Sequence, residues 1–528
     1  NRLPTQERSV LRLGIDVGGT NTDAVIMRGR QVLSGFKAST TQDVTTGVLD
    51  ALEGAIDKAG VDRADIGNVM IGTTHFTNAV IERKHINPVA AIRLGLPATA
   101  CLPPMVDWPD DLREAVGNHG YLVRGGYEFD GREIAPLDEA EIDRIADDVN
   151  TRKIKVAAIS SVFSPINQAM ETAARDRLLQ KCPDVSVVLS SDIGRIGLLE
   201  RESAAIMNAS LLALSDRTVE AFAEALKSAG LTCPFYITQN DGTLMAADMV
   251  RRFPVLTFAS GPTNSMRGAA FLTGERDGIV VDIGGTTTDV GALQHGFPRQ
   301  AATVVDIGGV RTNFRMPDVF SIGLGGGSLV RRNADGDITV GPQSVGYRIT
   351  SEALVFGGDT LTATDIAIAR GEADFGDRAA VADIDAATLD GARAAMTGML
   401  ERAVERSRIS PEPIPVIAVG GGSILMPDQL GDLQVIRPEN FAVANAVGAA
   451  IAQISGEVDR IYSLENGLTR DICLKQAEEE ATKKAIESGA VARTIETIER
   501  EDVPLAYLPG NATRIHVKVV GEMGGLDA

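Results

Sequence analysis

The amino-acid sequence predicts an α/β protein of two lobes that face each other across a cleft. Three observations lead to this prediction. One strand–turn–strand motif occurs twice, short apolar runs alternate with helical patterns along the chain, and 528 residues suffice for several domains. The apolar content of 44% and the charged content of 23% are those of an ordinary globular protein. We expect one copy of the motif in each lobe.

The repeated motif is an octapeptide with two central glycines. The first copy reads Asp16-Val-Gly-Gly-Thr-Asn-Thr-Asp23, and the second reads Asp282-Ile-Gly-Gly-Thr-Thr-Thr-Asp289. Apolar residues flank both copies, which indicates a strand, a tight turn and a second strand. Glycines let backbone N–H groups approach an anion closely, and Thr and Asn side chains add neutral donors. One copy alone is a common β-turn sequence. The pair predicts two loops that hold a nucleotide's phosphates from both sides.

Each loop supplies its own set of candidate residues. The predicted phosphate-binding residues are Gly18, Gly19, Thr20, Asn21 and Thr22 in the first loop and Gly284, Gly285, Thr286, Thr287 and Thr288 in the second. Asp16 and Asp282 are candidates for contact with hydrated Mg²⁺, which prefers one or two carboxylates plus phosphate oxygens. Both could instead cap their turns. Asp23 and Asp289 could serve as a carboxylate base in phosphoryl transfer, or could hold their own hairpins.

The first half of the chain continues the alternation of strands and helices. Residues 10–37 predict a hairpin or meander, residues 45–58 a helix, and residues 69–84 a strand, a polar turn and the start of a helix. His75 follows two threonines at that strand end, which usually lines a cleft in α/β folds. His75 is therefore a candidate catalytic residue, beside the alternative of a structural histidine. Asn78, Asn240 and Asp241 are lesser cleft candidates. The further predictions are helices at 137–150 and 167–180, strands at 155–163 and 185–189, and a helical crossover between the lobes at 195–227.

The second half contains three further glycine-rich or polar turns. Ala259–Ser265 predicts a polar turn before a helix at 266–273, and Val305-Asp-Ile-Gly-Gly309 imitates the repeated loop without its threonines, so we expect a plain turn there. A strand at 416–419 runs into Gly420, Gly421 and Gly422, which either floor an adenine ring or form a turn leading into a helix. The other predictions are a Gly-rich turn at 322–328, helices at 360–370, 388–408, 440–454 and 465–488, and a closing hairpin of 503–508 with 515–520.

Composition excludes several classes of function. The net charge is −20, from 51 basic and 71 acidic residues, which argues against nucleic-acid or anionic-membrane binding. The four cysteines, at 101, 182, 233 and 473, form no zinc-ligand spacing, and we expect reduced thiols in a cytoplasmic protein. No apolar run approaches the ~18–20 residues of a membrane span. The first residues lack a signal sequence and an initiator Met, so we expect a trimmed start.

Taken in order, the motifs resemble those of the A-type chains of the hydantoinase/oxoprolinase family, within the sugar-kinase/Hsp70/actin ATPase superfamily. The resemblance covers nearly all of residues 10–490. Besides the two octapeptides, its motifs are Gly72–Arg83, Arg124–Arg132, Glu200–Ala209, Gln239–Met245, Ala259–Pro262 and Ile322–Ser328. The chain departs from the longer family members at Gly341–Tyr347, which replaces a Pro-Gly-Pro-Ala-Cys-like segment, and at Ile92–Pro97. Ser260 does not lie in a Gly-x-Ser-x-Gly elbow, so serine nucleophile chemistry is rejected.

The resemblance implies two actin/ribonuclease-H-like lobes with a nucleotide cleft between them. We expect a first lobe over 1–192, a second lobe over 193–460 and a C-terminal helix and hairpin over 461–528. The implied cofactors are ATP and Mg²⁺. The implied activity is ATP-dependent opening of a cyclic amide (a hydantoin, 5-oxoproline or a lactam), in an oligomer with a B-type hydantoinase subunit. The alternatives are part of an ATP-dependent ketone carboxylase, a small-molecule kinase and an actin-like reactivating ATPase.

Overall fold

The computed structural model describes residues 10–19, 21–39, 44–301, 304–408, 410, 412–464, 467–506 and 511–523. Two large mixed sheets, each with helices packed against it, dominate these residues. This arrangement confirms the predicted α/β fold of two lobes. Among the described residues, no helix has the length and apolar content needed to cross a membrane.

The chain begins with the predicted meander. The first elements are β1 (Leu11–Val17), β2 (Asn21–Arg28), β3 (Gln31–Ser39), α1 (Val44–Ala59), β4 (Ile66–Thr73) and α2 (His75–Glu82). β1 pairs antiparallel with β2 and parallel with β4, so it lies in the interior of its sheet. Its side chains are buried on both faces, which explains why the sequence shows an apolar run instead of alternation.

A small parallel sheet follows in the same lobe. Its elements are β5 (Val89–Leu96), α3 (Asp110–Ala115), β6 (His119–Arg124), α4 (Glu139–Arg152), β7 (Val156–Ser161), α5 (Ala169–Lys181) and β8 (Ser186–Leu189), with the strand order β6-β5-β7-β8. The next elements are α6 (Leu198–Ser228), β9 (Phe235–Thr238), β10 (Thr243–Ala246), α7 (Ala247–Arg252) and α8 (Ser260–Thr273). The buried ion pair of Arg93 on β5 and Glu202 on α6 ties the small sheet to the long helix.

The start of α8 corrects one prediction. The sequence suggested a polar turn at 259–265, but the helix already begins at Ser260. Ala259 has a left-handed backbone (φ 58°) and marks the true boundary. Pro262 lies within the first helical turn, where backbone N–H groups have no intrahelical acceptor. The helix therefore loses no hydrogen bond to the proline and tolerates it.

The second lobe carries the second loop between its first two strands. Its elements are β11 (Gly278–Ile283), β12 (Thr288–Gln294), β13 (Phe297–Pro298), β14 (Val305–Ile307), β15 (Val310–Thr312), β16 (Val319–Ile322), β17 (Ser328–Arg332), β18 (Ile338–Ser344), α9 (Ile349–Glu352), α10 (Ala363–Ala369), α11 (Ala386–Ser407), β19 (Val416–Val419), β20 (Gln429–Leu430) and β21 (Leu433–Ile436). The chain ends with α12 (Ala444–Ala450), β22 (Gln453–Tyr462), α13 (Arg470–Glu487), β23 (Glu496–Pro504) and β24 (Thr513–Gly521). The predicted helix at 440–454 is therefore too long, because β22 already starts at Gln453. The closing strands pair antiparallel, but the first of them is wrong in its bounds: β23 ends at Pro504, whereas the prediction placed it at 503–508, of which 507 and 508 lie outside the described residues.

The two large sheets share one local strand order. The first sheet runs β23-β24-β22-β10-β9-β4-β1-β2-β3, and the second runs β13-β12-β11-β19-β21-β20 with β16 also paired to β12. In both, a central strand (β1 or β11) has an antiparallel neighbour on one side and a parallel one on the other. The repeated octapeptide thus occupies the same turn in each lobe. Division of the chain at residues 192 and 460 stays a prediction, and the first sheet takes strands from both sides of each position.

Helices α8 and α12 join the lobes through direct backbone contact. A Cβ atom at Gly268 would lie 1.8 Å from the carbonyl oxygen of Ala444, and one at Gly448 would lie 1.8 Å from that of Asn264. Only glycine leaves room for such an approach. The two helices therefore behave as one clasp at the lobe junction.

The hairpin β14–β15 forms a strap from the second lobe onto the first. Its apolar residues Ile307 and Val310 pack in the core of the first lobe. Arg83, just after α2, donates to the carbonyl oxygen of Gly308 at 2.8 Å. Gly308 and Gly309 both have positive φ, and the carboxylate of Asp306 accepts from the Gly309 N–H at 2.9 Å. This segment, which imitates the phosphate loop in sequence, is the plain turn that we predicted.

Candidate active site

The two copies of the octapeptide fold into the same tight hairpin turn. Gly18 N–H donates to the carbonyl of Asn21 at 3.0 Å, and Gly284 N–H donates to that of Thr287 at 2.9 Å. The antiparallel register then sets the two aspartates of each copy directly opposite each other. Asp16 pairs with Asp23, and Asp282 pairs with Asp289. Each loop thus carries a facing pair of carboxyl groups at its base.

One cavity between the lobes is lined by both loops. Its lining residues are Gly18, Gly19, Asn21, Asp23, Lys37, Ser265, Asp282, Gly284, Gly285, Thr286, Thr287, Gly420, Gly421, Ala442, Ala444 and Asn445. Thr20 lies outside the described residues. Thr22 and Thr288 have fully buried side chains, and the Thr288 hydroxyl donates to the Leu324 carbonyl at 2.6 Å. The hydroxyl of Thr288 therefore stabilises the second loop. The phosphate contact predicted for Thr288 would have to be made by backbone groups of the loop instead.

The Gly-rich turn at 322–328 supports the second loop from behind. Gly326 N–H donates to the carbonyl of Gly284 at 3.0 Å, and Gly327 N–H donates to that of Gly285 at 2.7 Å. A Cβ at Gly325 would lie 2.5 Å from the backbone nitrogen of Thr286. These contacts occupy the carbonyl oxygens of Gly284 and Gly285 with hydrogen bonds, whereas a Cβ at Gly285 would meet nothing within 4 Å.

The three glycines after β19 have two distinct roles. A Cβ at Gly420 would lie 2.2 Å from a carboxylate oxygen of Asp282, and Gly422 N–H donates to the carbonyl of Ile283 at 2.7 Å. Both residues pack directly against the second hairpin. At Gly421 an added Cβ would meet nothing within 4 Å. Gly421 is therefore the glycine of this turn that offers an open face to the cavity.

The first pair of aspartates is held by asparagines from the lobe junction. Asn264 of α8 and Asn445 of α12 each donate to a carboxylate oxygen of Asp16 at 3.0 Å. Asn445 also donates to Asp23 at 2.8 Å, and the other oxygen of Asp23 pairs with Lys37. Residues from three distant parts of the chain thus fix the carboxyl groups beneath the first loop.

The carboxyl groups of the site have raised pKa values. Burial raises the pKa of Asp16 to about 6, although its asparagine bonds act in the opposite direction, and the charges of Asp23 and Asp282 raise it further. Burial also raises the pKa of Asp282, whose carboxylate accepts from the Ser265 hydroxyl. Burial raises the pKa of Asp289 to about 6, with Ser321 as its hydrogen-bond donor. Several carboxylates lie close together here with one ammonium group nearby, so a bound cation would reduce their mutual repulsion.

The predicted cleft residues outside the loops separate into two groups. His75 opens α2, and its Nδ1 lies 2.7 Å from the hydroxyl of Thr73. Burial lowers the pKa of His75, so the ring is neutral at pH 7. His75 and Asp289 do not line the cavity, while Asn78 lies beside the first loop, 3.8 Å from where a Cβ of Gly19 would be. Asn240 donates to the Arg315 carbonyl and Asp241 pairs with Lys518, so both serve the fold.

Sequence reasoning missed four residues of this site: Lys37, Asn264, Ser265 and Asn445. Asn264 and Ser265 were within reach of the sequence, because they belong to the polar stretch 259–265 that was singled out as a turn. Lys37 lies near the end of β3, and Asn445 lies among small residues in α12. Neither belongs to a local motif that would have marked it.

Two family models match the chain over most of its length. Residues 12–182 match the hydantoinase/oxoprolinase N-terminal region, and residues 201–379 match the hydantoinase/oxoprolinase domain. The first match contains the first loop and α2, and the second contains the second loop and the Gly-rich turn. The phosphate loops of both lobes therefore fall inside the matched regions, whereas the cavity residues from Gly420 to Asn445 lie outside them.

Individual relatives give the same result. The chain is 28% identical to the alpha chain of caprolactamase from Pseudomonas jessenii over 83% of its own length and 65% of that protein. It is 26% identical to the acetophenone carboxylase gamma subunit of Aromatoleum aromaticum, over 70% of this chain and 54% of that one. The chain thus spans less than two thirds of either curated relative.

Two solved structures share the fold. The ATP-dependent caprolactamase of Pseudomonas jessenii superposes with a TM-score of 0.77 at 20% identity, covering 97% of this chain and 88% of that one. Nucleotide-free acetone carboxylase gives 0.70 at 19% identity, with 98% and 88% covered. With both family regions matched in order and the two-lobed fold in place, the chain belongs to the hydantoinase/oxoprolinase family.

Proposed function

We propose that this chain binds Mg·ATP between its two loops and uses it to open a cyclic amide. The observation that carries the proposal is the shared cavity, because the glycine turns of both lobes line it together. Backbone N–H groups at such turns bind phosphate without a basic pocket. This matters in a protein of net charge −20. Its caprolactamase relative points to a lactam-type substrate.

In this proposal the phosphates contact both loops and the adenine ring lies over the Gly420–Gly422 turn. Gly18, Gly19 and Asn21 face the phosphates from the first lobe, and Gly284 to Thr287 face them from the second. Gly421 offers an uncovered backbone face, which suits a flat ring. Lys37 adds one positive charge at the edge of the first loop.

Asp16 and Asp282 would hold the Mg²⁺, mostly through water. Among the described residues no group of three or more His, Cys, Asp or Glu side chains is placed to hold a metal ion. Mg²⁺ bound with a nucleotide needs only one or two carboxylates, since phosphate oxygens complete its shell. The raised pKa of both aspartates fits a site suited to a cation. The ion would neutralise charge on the transferred phosphoryl group.

The chemistry begins with transfer of the γ-phosphoryl group to the amide carbonyl oxygen. This transfer breaks the bond to ADP and leaves a phosphorylated imidate, whose carbon is more electrophilic than that of the amide. Water then adds to that carbon, and the ring C–N bond breaks as the nitrogen takes up a proton, which leaves an acyl phosphate. A second water hydrolyses the acyl phosphate and releases phosphate. The products are the ring-opened amino acid, ADP and phosphate. Asp23, Asp289 or His75 would accept the proton of the attacking water as the general base.

Ketone carboxylation is the second candidate, and the acetophenone carboxylase relative favours it. Bicarbonate would then take the phosphoryl group in place of the amide, giving carboxyphosphate and ADP, and an enolate would attack the carboxyphosphate carbon and displace phosphate. The same loops serve both reactions, because both begin with phosphorylation of a weakly nucleophilic oxygen. The curated relatives are subunits by name, and we extend the proposal to an oligomeric assembly with a B-type subunit.

Two measurements test the proposal. Titration calorimetry in Mg²⁺ buffer should show ATP binding, and its absence would remove the proposal at its base. A phosphate-release screen of hydantoins, lactams, and ketones with bicarbonate, each with and without the B-type subunit, should then identify the substrate. A stable phosphorylated product would indicate a kinase instead. ATP turnover that responds only to a partner protein would indicate a reactivating ATPase.

A pair of aspartate variants assigns the site. Asp282→Ala should abolish ATP turnover and leave the fold intact, because Asp282 lines the cavity at the base of the second loop. Asp306→Ala is the matched control, since Asp306 stands in the same Asp-Ile-Gly-Gly sequence but lies in the strap. Full turnover in Asp282→Ala, or equal loss in both variants, would contradict our assignment of the second loop.

A further inference from the structure

A second cavity lies behind the lobe junction, away from the two loops. It measures about 640 Å³, within the size range of small-molecule sites. Four arginines line it: Arg12, Arg30, Arg267 and Arg276. Arg12 and Arg30 belong to the first sheet and its β2–β3 turn, Arg267 to α8, and Arg276 to the approach to β11. We call this space the hinge cavity.

Three of these arginines have no carboxylate partner. Arg12 forms an ion pair with Glu522 at 3.0 Å, but Arg30, Arg267 and Arg276 form no salt bridge with any residue that the structure describes. Arg30 stacks on Phe271 with 4.6 Å between its guanidinium carbon and the ring centroid. Within the part of the chain that the structure describes, Arg276 donates only to the backbone carbonyl of His295. Such guanidinium groups keep donors for a ligand.

Arg267 is the most informative of the set because it is 8% exposed and its Nε has no hydrogen-bond partner. Its other nitrogens donate to the Gly296 carbonyl at 2.7 Å and to Gln453 at 3.2 Å, and its guanidinium stacks on Phe297 at 3.8 Å. Burial lowers the pKa of Arg267 to about 10, so it is still charged at neutral pH. Burial disfavours this charge, the nearby carboxylates of Asp241, Glu522 and Glu496 offset part of that cost, and an anion in the cavity would offset more of it.

Three carboxylates also line the cavity, namely Glu275, Glu496 and Glu522. Glu522 is neutralised by Arg12. The remaining lining has three unpaired cations against two carboxylates. The cavity therefore favours an anion over a cation, in a chain whose overall charge is −20.

We propose that the hinge cavity binds a small organic anion with two or more acidic oxygens, a dicarboxylate or a phosphate ester. Arg30 and Arg276 contact the anion at the rim, and Arg267 fixes it at the base. The bidentate geometry of guanidinium groups suits both kinds of anion. The site contacts both lobes. Arg30 lies in the turn between β2 and β3 of the first sheet, and Arg276 precedes β11 of the second sheet.

The same ligand would act on the nucleotide cavity through α8. Asn264 and Ser265 of this helix hold Asp16 and Asp282, and Arg267 follows Ser265 by two residues on the same helix. Because α8 and α12 are in direct backbone contact at Gly268 and Gly448, these residues of α8 do not move independently of one another. An anion on Arg267 therefore changes ATP affinity, and ATP changes anion affinity by the same factor. This coupling, unlike the anion site itself, rests on the proposed function.

The anion site is tested by calorimetric titration of the full chain with succinate and, separately, with glycerol phosphate, both without nucleotide. The double variant Arg30→Ala/Arg276→Ala should weaken binding at least about tenfold, since each lost charge-assisted bond alone is worth that much. Arg28→Ala is the control, because this exposed arginine is two residues from Arg30 and does not line the cavity. It should bind within about twofold of the unmodified chain.

The outcomes are distinct. Binding of succinate alone identifies a dicarboxylate, and binding of glycerol phosphate alone identifies a phosphate ester. No heat from either anion at millimolar concentration, or undiminished binding in the double variant, overturns the site. ATP titration with and without the bound anion then tests the coupling, and an unchanged ATP dissociation constant overturns it. Failure of ATP to bind without anion contradicts the proposed function and leaves the anion result standing.

Discussion

Adding one methyl group at Gly420 should disable the second loop. The residue has φ +82°, where an alanine costs about 1–2 kcal/mol. Its Cβ would lie 2.2 Å from a carboxylate oxygen of Asp282 and 2.5 Å from the carbonyl oxygen of Ile283. The carboxylate can rotate, but the Ile283 carbonyl belongs to β11 and requires a backbone shift. Such overpacking adds about 1–3 kcal/mol. We expect Gly420→Ala to lower the free energy of unfolding by about 2–5 kcal/mol in total.

The effect on turnover follows from the displaced carboxylate. Misplacing a catalytic group by about 1 Å costs roughly 100-fold in rate, so phosphate release by Gly420→Ala should fall by that factor. Gly421→Ala is the control, because its Cβ meets nothing within 4 Å. It should melt within about 1 °C of the unmodified chain and raise only the KM for ATP. Thermal melts and phosphate release measure both. Equal melting temperatures for the two variants, or normal turnover in Gly420→Ala, would refute the reasoning.

Three further predictions concern stability. Asp289→Asn should raise the free energy of unfolding by at most about 3 kcal/mol at pH 7.5 and by about half that at pH 5. The reason is that the raised pKa of Asp289 in the folded state makes the protein less stable as the pH rises toward 6. Urea melts in which this difference does not depend on pH would contradict the prediction. Arg93→Met should cost about 3–5 kcal/mol by leaving buried Glu202 unpaired, and adding Glu202→Gln should restore much of the loss in the same melts. Gly268→Ala should cost more than about 3 kcal/mol of unfolding free energy or prevent folding, because its Cβ would lie 1.8 Å from a backbone atom. Gly398→Ala in α11 is the control: its Cβ would meet only a flexible side chain at 3.2 Å, so it should be neutral or stabilising. Equal soluble yields and equal melting temperatures for the two variants would argue against the clasp.

The parts of this protein that the sequence predicted are those encoded by local patterns. The two loops were found because glycine and threonine at fixed spacing impose one turn wherever they occur. The imitation at Asp306 was separated from them by its missing threonines, and the strap bears this out. Helices such as α1 and α6 followed from apolar spacing and from length.

The parts that escaped depend on contacts between distant residues. Asn445 reaches Asp16 across most of the chain, and nothing near either residue records that contact. The sequence indicates a cleft position for Asp241, but its charge is paired with Lys518 on the last strand. The polar stretch that became the start of α8 was misjudged because proline in a first helical turn resembles a turn residue in isolation.

The strand order of the first sheet has a consequence for how the chain folds as it is synthesised. Strand β10 pairs with β22, which pairs with β24, and both partners emerge only after the whole second lobe has been made. The second lobe is contiguous from Gly278 to Ile436 and can close while its neighbour still exposes an unpaired edge. We therefore expect the second lobe to become protease-resistant first on the ribosome. The first lobe, although it leads the sequence, should be completed last, because its pairing requires the longest loop closures.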